Sequence, residues 1–182
     1  VLAADKDETQ AERQADKRQE DEHCAAIEEP NWKMKTLGGR QFWGDVHFFR
    51  GWKIQQNIIT GHYRLLDHRD NRYKAGTFEG CKKKLDEIVE KCELKPMTDE
   101  KIVIVVHGII RSSKSMKKMK AQLEKAKYVV VPFDYPSTRV SIEKCSSYLE
   151  RTIESLKEVK EINFVTHSMG GLIVRSWAAD NK

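Results

Sequence analysis

The sequence predicts an α/β domain: a mixed, mainly parallel sheet with helices on both faces, antiparallel strands at its front, and a charged N-terminal extension. Three observations predict it. Lys101–Val106, Tyr128–Phe133 and Ile162–Val165 are apolar almost throughout and alternate with segments of helical periodicity, as strands of a parallel sheet covered on both faces do. Just before them runs a stretch of aromatic and β-branched residues broken by short turns. The first thirty residues carry ten acidic against four basic side chains, a local balance of −6 in a chain of +5, which leaves +11 for the rest. A segment so charged does not bury itself.

The domain organisation follows from these shifts. Residues 1–40 form the extension, loosely helical at most because alanine and charge leave no apolar stripe to dock. Pro30 and Gly38-Gly39 punctuate its end, and residues 41–182 form the α/β domain. Asp45–Phe49, Trp52–Asn57 and His62–Leu66 read as an antiparallel meander joined by Arg50-Gly51 and Ile58–Gly61. Its Trp43, Trp52 and Tyr63 are read as core aromatics of a small sheet rather than as a sugar or base platform.

Thr77 caps a helix whose apolar positions Phe78, Cys81, Leu85, Ile88 and Cys92 recur at helical spacing, ending near Leu94 before Pro96. After the first parallel strand comes a Ser-rich turn and a helix using Met116, Met119, Leu123 and Ala126. After the second comes a helix using Ile142, Cys145, Leu149, Ile153 and Leu156, and after the third an apolar helix with Leu172, Ile173, Val174 and Trp177. The crossovers between parallel strands are expected to be right-handed.

Composition excludes several functions. The lysines of the basic body are scattered along helical faces without interleaved aromatics, which reads as solvated surface with no nucleic-acid partner. No run reaches the roughly 18 apolar residues of a membrane-spanning helix. Val1-Leu2-Ala3-Ala4 fits the small-residue end of a secretory signal, implying export, as well as it fits a trimmed start, which leaves the cytoplasm. Cys24, Cys81, Cys92 and Cys145 lack C-x-x-C and metal-ligand spacing, so neither metal nor other cofactor is expected. On one helix Cys81 and Cys92 would stand roughly 16 Å apart, beyond disulfide reach.

In open parallel sheets the working groups sit at the carboxyl ends of the strands. Three loops occupy that edge: His107–Lys114, Asp134–Thr138 and Thr166–Gly170. The last, Thr166-His167-Ser168-Met169-Gly170, fits a nucleophile elbow, a sharp strand-to-helix turn that lifts the serine hydroxyl clear of the sheet. Strand and helix backbones nearly touch there, so small residues are required two before and two after the serine. Gly170 meets the demand fully and Thr166 only in part. Ser168 is therefore the candidate nucleophile, and the Met169 N–H, at a helix start, a candidate oxyanion donor. His167 points the wrong way in such a turn to be the base. The second donor is expected from the loop after the first parallel strand, where Gly108 lets backbone approach the substrate. Ile109 N–H takes that role before Gly108, and His107 braces the loop.

"IVIVVHGIIRSSKSM" followed about fifty residues later by "INFVTHSMGG" resembles the first half of the α/β-hydrolase superfamily, in particular its lipase and esterase branch, over roughly residues 45–180. That resemblance implies a serine nucleophile, a histidine and an Asp or Glu that hydrolyse carboxylic esters through an acyl-enzyme, with a small-molecule or lipid ester as substrate. In the family the acid and histidine follow the nucleophile, whereas Lys182 lies fourteen residues past Ser168. His23, His47, His62 and His68 have no spacing that directs them to the elbow, and Asp134 alone cannot activate a serine. The base and acid are therefore expected beyond Lys182, the 182 residues by themselves are expected to be an inactive part of a longer protein, and Ile162–Val165 is expected as an exposed edge prone to self-association. An acyltransferase using the same elbow, or a non-catalytic binding or scaffold protein on this fold, are the competing functions.

Overall fold

A computed structural model describes residues 42–98 and 101–181. Residues 1–41, which include the whole charged extension and Cys24, lie outside the described residues, as does the loose helix expected there. The elements run β1 (Trp43–Phe49), β2 (Trp52–Asn57), β3 (Tyr63–Leu66), β4 (Arg72–Gly76), α1 (Phe78–Lys91), β5 (Ile102–Val106), α2 (Lys117–Lys125), β6 (Val129–Phe133), α3 (Ile142–Glu154), β7 (Ile162–Thr166) and α4 (Met169–Asp180). A short 3₁₀ turn, Ser113–Met116, precedes α2.

Two sheets form where one mixed sheet was expected. The first is antiparallel in the order β1-β2-β3-β4, and the second is parallel in the order β6-β5-β7. They meet at the end of β6, where the Asp45 N–H donates to the Asp134 carbonyl at 2.8 Å and the Asp134 N–H donates to Asp45 Oδ2 at 2.7 Å. The meander also gains a fourth strand, in a stretch to which the sequence reading assigned no element. Arg72–Gly76 alternates weakly and is half exposed, so its signal is backbone pairing, Tyr63 opposite Gly76 and Leu65 opposite Lys74, rather than a buried face.

β5 is central and buried over all five residues, with side chains sent alternately to the two faces. Ile102, Ile104 and Val106 join the main core with Val46, Ile54, Leu65, Leu85, Tyr148, Leu149 and Ile173. Val103 and Val105 join Val130 in a second cluster, covered by Met116 and Leu123. Helices therefore cover both faces, α3 and α4 on the first and α2 on the second. α2 begins at Lys117, directly after the first of the positions its periodicity marked. Met119 is exposed and Ala126 caps the end instead of packing, and Met116 and Leu123 alone of the four dock against the sheet.

The remaining helices match their sequence cues. Thr77 Oγ1 accepts the Gly80 N–H at 3.1 Å at the start of α1, whose Cys81, Leu85 and Ile88 are buried. Ser141 caps α3 by accepting the Lys144 N–H. Trp43 and Trp52 are core residues, each 5% exposed, and Cys81, Cys92 and Cys145 are buried free thiols. β6 and β7 flank β5; Pro132, which has no N–H, sits in the outer strand β6. β7 is half-buried along Ile162–Val165, in keeping with an edge position.

Candidate active site

The junction of β7 with α4 is built by a close approach of backbones. β7 pairs with β5 up to Thr166 opposite Val106, and the His167 N–H donates to the Val106 carbonyl at 3.0 Å. The chain then turns abruptly at Ser168, whose φ of 54° and ψ of −124° fall where L-residues are rarely found. Such strain persists only where surrounding contacts impose it, and it gathers at working sites. Ser168 is exposed, and its side chain makes no capping bond to α4. Gly170 is the reason α4 can start there: a Cβ at 170 would lie 2.6 Å from the Val106 carbonyl oxygen and 2.9 Å from that of His107. Thr166 is exposed at the strand end. A Cβ on Gly171 would come no closer than 3.4 Å to the Thr166 hydroxyl, so the threonine is accommodated without glycine.

The loop after β5 lies directly against this turn. A Cβ on Gly108 would stand 3.1 Å from Ser168 Cβ and 2.9 Å from His167 Nδ1, so only glycine lets the two loops touch. The Arg111 N–H donates to the Gly108 carbonyl at 3.3 Å, closing a turn with Ile109 and Ile110 at its tip. Ile110 has φ of 60°, a conformation costly for a β-branched residue, and its N–H is held by Ser137 Oγ at 3.1 Å. The Ile109 N–H has no hydrogen-bond partner among the described residues. Met169 opens α4, where the first N–H groups lack intrahelical acceptors.

His107 is 1% exposed and stacks on Tyr135, with ring centroids 4.2 Å apart and planes 7° from parallel. Its Nδ1 is 2.8 Å from the Gly108 carbonyl, a bond that requires the proton on Nδ1. Nε2 makes no hydrogen bond and lies 3.8 Å from Asp134 Oδ1. Burial holds the imidazole below its ordinary pKa, hence neutral. The Tyr135 hydroxyl donates to the His107 carbonyl. This histidine supports the loop, turned toward Asp134.

The third loop belongs to the same edge and carries what the sequence reading missed. Asp134 accepts the Ser113 N–H at 2.7 Å and the Ser113 hydroxyl at 2.8 Å, and Lys53 Nζ at 3.3 Å. Lys53 also reaches Asp70 at 2.9 Å. Burial raises Asp45 to about 7, opposed by Lys53 and reinforced by the Asp134 charge. Burial would also raise Asp134, but Lys53 and Ser113 outweigh it and keep its carboxylate ionised. Burial works against the charge on Lys53 too, and Asp45, Asp134 and Asp70 overcome it, leaving the ammonium above its usual value. Lys53, on a strand far away in sequence, thus anchors the loop beside Ser168 through Asp134 and Ser113. Nothing in the alternation of "WKIQQN" signals a buried lysine.

The histidines outside this edge serve elsewhere. His47 packs edge-on to Phe78, and His62 and His68 are exposed in the loops bounding β3. Two clefts, one along α1 and one between β1, α1 and the end of α3, share no residue with the Ser168 turn. No helix among the described residues is long and apolar enough to cross a membrane.

Residues 96–180, a little under half of the chain, match the model of a family described as "Putative serine esterase (DUF676)". The matched segment holds β5, β6, β7 and the three loops at their carboxyl ends. It supports a hydrolase of esterase type and a small-molecule substrate, and agrees with the likeness to the lipase and esterase branch of the α/β-hydrolases. No curated protein and no solved structure matches the chain.

Proposed function

We propose that the protein is a serine hydrolase of carboxylic esters in which Ser168 is the nucleophile and the N–H groups of Ile109 and Met169 bind the oxyanion. The observation that supports this reading best is the conformation of Ser168: exposed, strained, free of any cap bond, and pressed against the glycine loop that carries the unpartnered Ile109 N–H. A residue with a merely structural task has no use for such a backbone.

In the reaction so read, Ser168 Oγ attacks the ester carbonyl carbon while its proton passes to a histidine base. The carbonyl oxygen becomes an anion facing the two N–H groups, which are already oriented and so cost no reorganisation as charge develops. Collapse of the tetrahedral intermediate breaks the bond to the alcohol oxygen, which leaves with the proton. Water then attacks the acyl-Ser168 ester by the same route and releases the acid. The base and its acid partner belong to residues outside those described, since His107 is buried against Asp134, His167 packs against Gly108 as part of the turn itself, and His47, His62 and His68 occupy other regions. Gly108, Gly170, His107 and Thr166 shape the two loops, and His167 lies over Gly108.

A fluorophosphonate probe tests the reading, because it reacts only with a serine activated by a base and an oxyanion site. The full-length protein should be labelled at Ser168 and Ser168→Ala should not. Labelling that survives the substitution, or fails in folded full-length protein, assigns the fold to a binding role instead.

A further inference from the structure

The rim of the Ser168 turn carries a pairing of features that the esterase reading does not use. Ile109 is 49% exposed and Ile110 75%, the latter in a conformation that glycine or asparagine would adopt more readily. Two large apolar side chains are thus displayed to solvent on a strained turn, fixed by the Arg111 N–H on the Gly108 carbonyl and by Ser137 under the Ile110 N–H. Immediately after them come Arg111, Lys114, Lys117, Lys118 and Lys120, with no acidic residue anywhere from His107 to Leu123. Arg111, Lys114, Lys117 and Lys118 are exposed, Lys114 with its Nζ 3.9 Å from Asp70 Oδ2, while Met116 and Leu123 of the same segment pack against the sheet.

The position of two of these cations is unfavourable for the isolated protein. Lys117 and Lys118 begin α2, at the positive end of its dipole, in a first turn with no acidic residue and no side-chain cap. An anionic surface in front of that turn would relieve the repulsion. The patch is also at the active edge, since Gly108 packs on Ser168 and Ser113 is bonded to Asp134 at the carboxyl end of β6.

We infer that residues 109–118 dock the protein on a lipid bilayer rich in anionic headgroups, with Ile109 and Ile110 entering the acyl boundary and Arg111, Lys114, Lys117 and Lys118 resting on headgroup phosphates. A nucleic acid would take the cations and leave the isoleucines in water, and an apolar protein groove would take the isoleucines and meet the cations. An anionic bilayer accepts both. Two inserted side chains give weak, reversible attachment, so the charges decide whether it occurs. The inference rests on the esterase reading for its consequence, that the ester reaches Ser168 from the membrane, whereas binding itself does not depend on that reading.

The test is co-sedimentation of the full-length protein with phosphatidylcholine vesicles and with vesicles containing phosphatidylserine, alongside hydrolysis of a short, water-soluble ester. Binding is expected to the phosphatidylserine vesicles, to fall steeply with added salt, and to be unchanged in Ser168→Ala. Lys117→Gln combined with Lys118→Gln should weaken it about thirty-fold, from the ordinary contribution of a lysine at an anionic membrane, while the soluble ester is hydrolysed as before. Ile110→Asn should weaken binding further at the same net charge. Equal binding to both vesicle types, unaltered binding by the lysine variant, or retention on heparin without binding to vesicles would overturn the inference. Ester hydrolysis without vesicle binding removes the docking surface and leaves the esterase. Vesicle binding by a protein that hydrolyses no ester does the reverse.

Discussion

Gly170→Ala probes the contact on which the strand-to-helix turn depends. The added methyl carbon would stand 2.6 Å from the Val106 carbonyl oxygen, 2.9 Å from that of His107 and 3.0 Å from Val106 Cγ1, whereas 3.4 Å is ordinary contact. α4 would have to retreat from β5 by roughly 0.8 Å, because two of the three obstructing atoms are backbone of the central strand and its loop and cannot rotate aside. Overpacking of this kind costs about 1–3 kcal/mol. Alanine regains up to about 1 kcal/mol of helix propensity, leaving a net loss near 1–2 kcal/mol. In a domain of this size that lowers Tm by roughly 2–8 °C. Gly171→Ala is the matched control: its methyl meets only the Thr166 hydroxyl, at 3.4 Å, so it should raise Tm by about 2–4 °C. Thermal unfolding by circular dichroism orders the three proteins. The same retreat carries Ser168 away from the Gly108 loop, and a displacement approaching 1 Å should slow fluorophosphonate labelling about a hundred-fold. A Gly170→Ala protein that melts at or above Gly171→Ala and is labelled at the wild-type rate would refute the close-packed turn.

Three further outcomes are expected. Ser168→Gly removes the hydroxyl and also the strain of a positive φ, so the protein should gain about 1 kcal/mol in urea unfolding while losing all labelling; a loss of stability would mean that the hydroxyl has a structural bond. Lys53→Met takes the cation from buried Asp134 and its neighbour Asp45 and should cost about 3–5 kcal/mol in the same assay, whereas a loss below about 1 kcal/mol would mean that water reaches the cluster. Burial lowers His47 from 6.5 to about 4, so its contribution to stability is full above pH 6.5 and is lost as pH falls toward 4, by roughly 2 kcal/mol at pH 5. Asp45, raised by burial to about 7, acts in the opposite sense, its cost growing as pH rises from about 4 to 7. The difference between wild type and His47→Gln at pH 7 and pH 5 isolates the histidine, and equal pH slopes would contradict the burial argument.

Much of the architecture is legible in the chain because it follows from where apolar residues recur. "IVIVV" is short and apolar throughout and "INFV" nearly so, and each alternates with helical segments as parallel strands do, while Thr77 marks a helix start that the structure keeps. The Ser168 turn is legible for a related reason: a strand running into His-Ser-Met-Gly-Gly needs a small residue where two backbones meet, and Gly170 meets β5 at that point. Where periodicity is weak the reading fails, as with β4, held by pairing alone, and with Met119, exposed on a short helix that docks only through Met116 and Leu123.

The sequence by itself determined the order of strands and helices apart from β4, the serine at a sharp bend and the glycines around it, because each is set by residues within a few positions of one another. Only the tertiary structure decided that the strands divide into two sheets, that Lys53, Asp134 and Ser113 hold the loop beside Ser168, and that Ile110 is displayed on a strained backbone. Those features depend on burial and on partners as far apart as Lys53 and Asp134, and no local pattern encodes a charge stabilised by a residue 81 positions away.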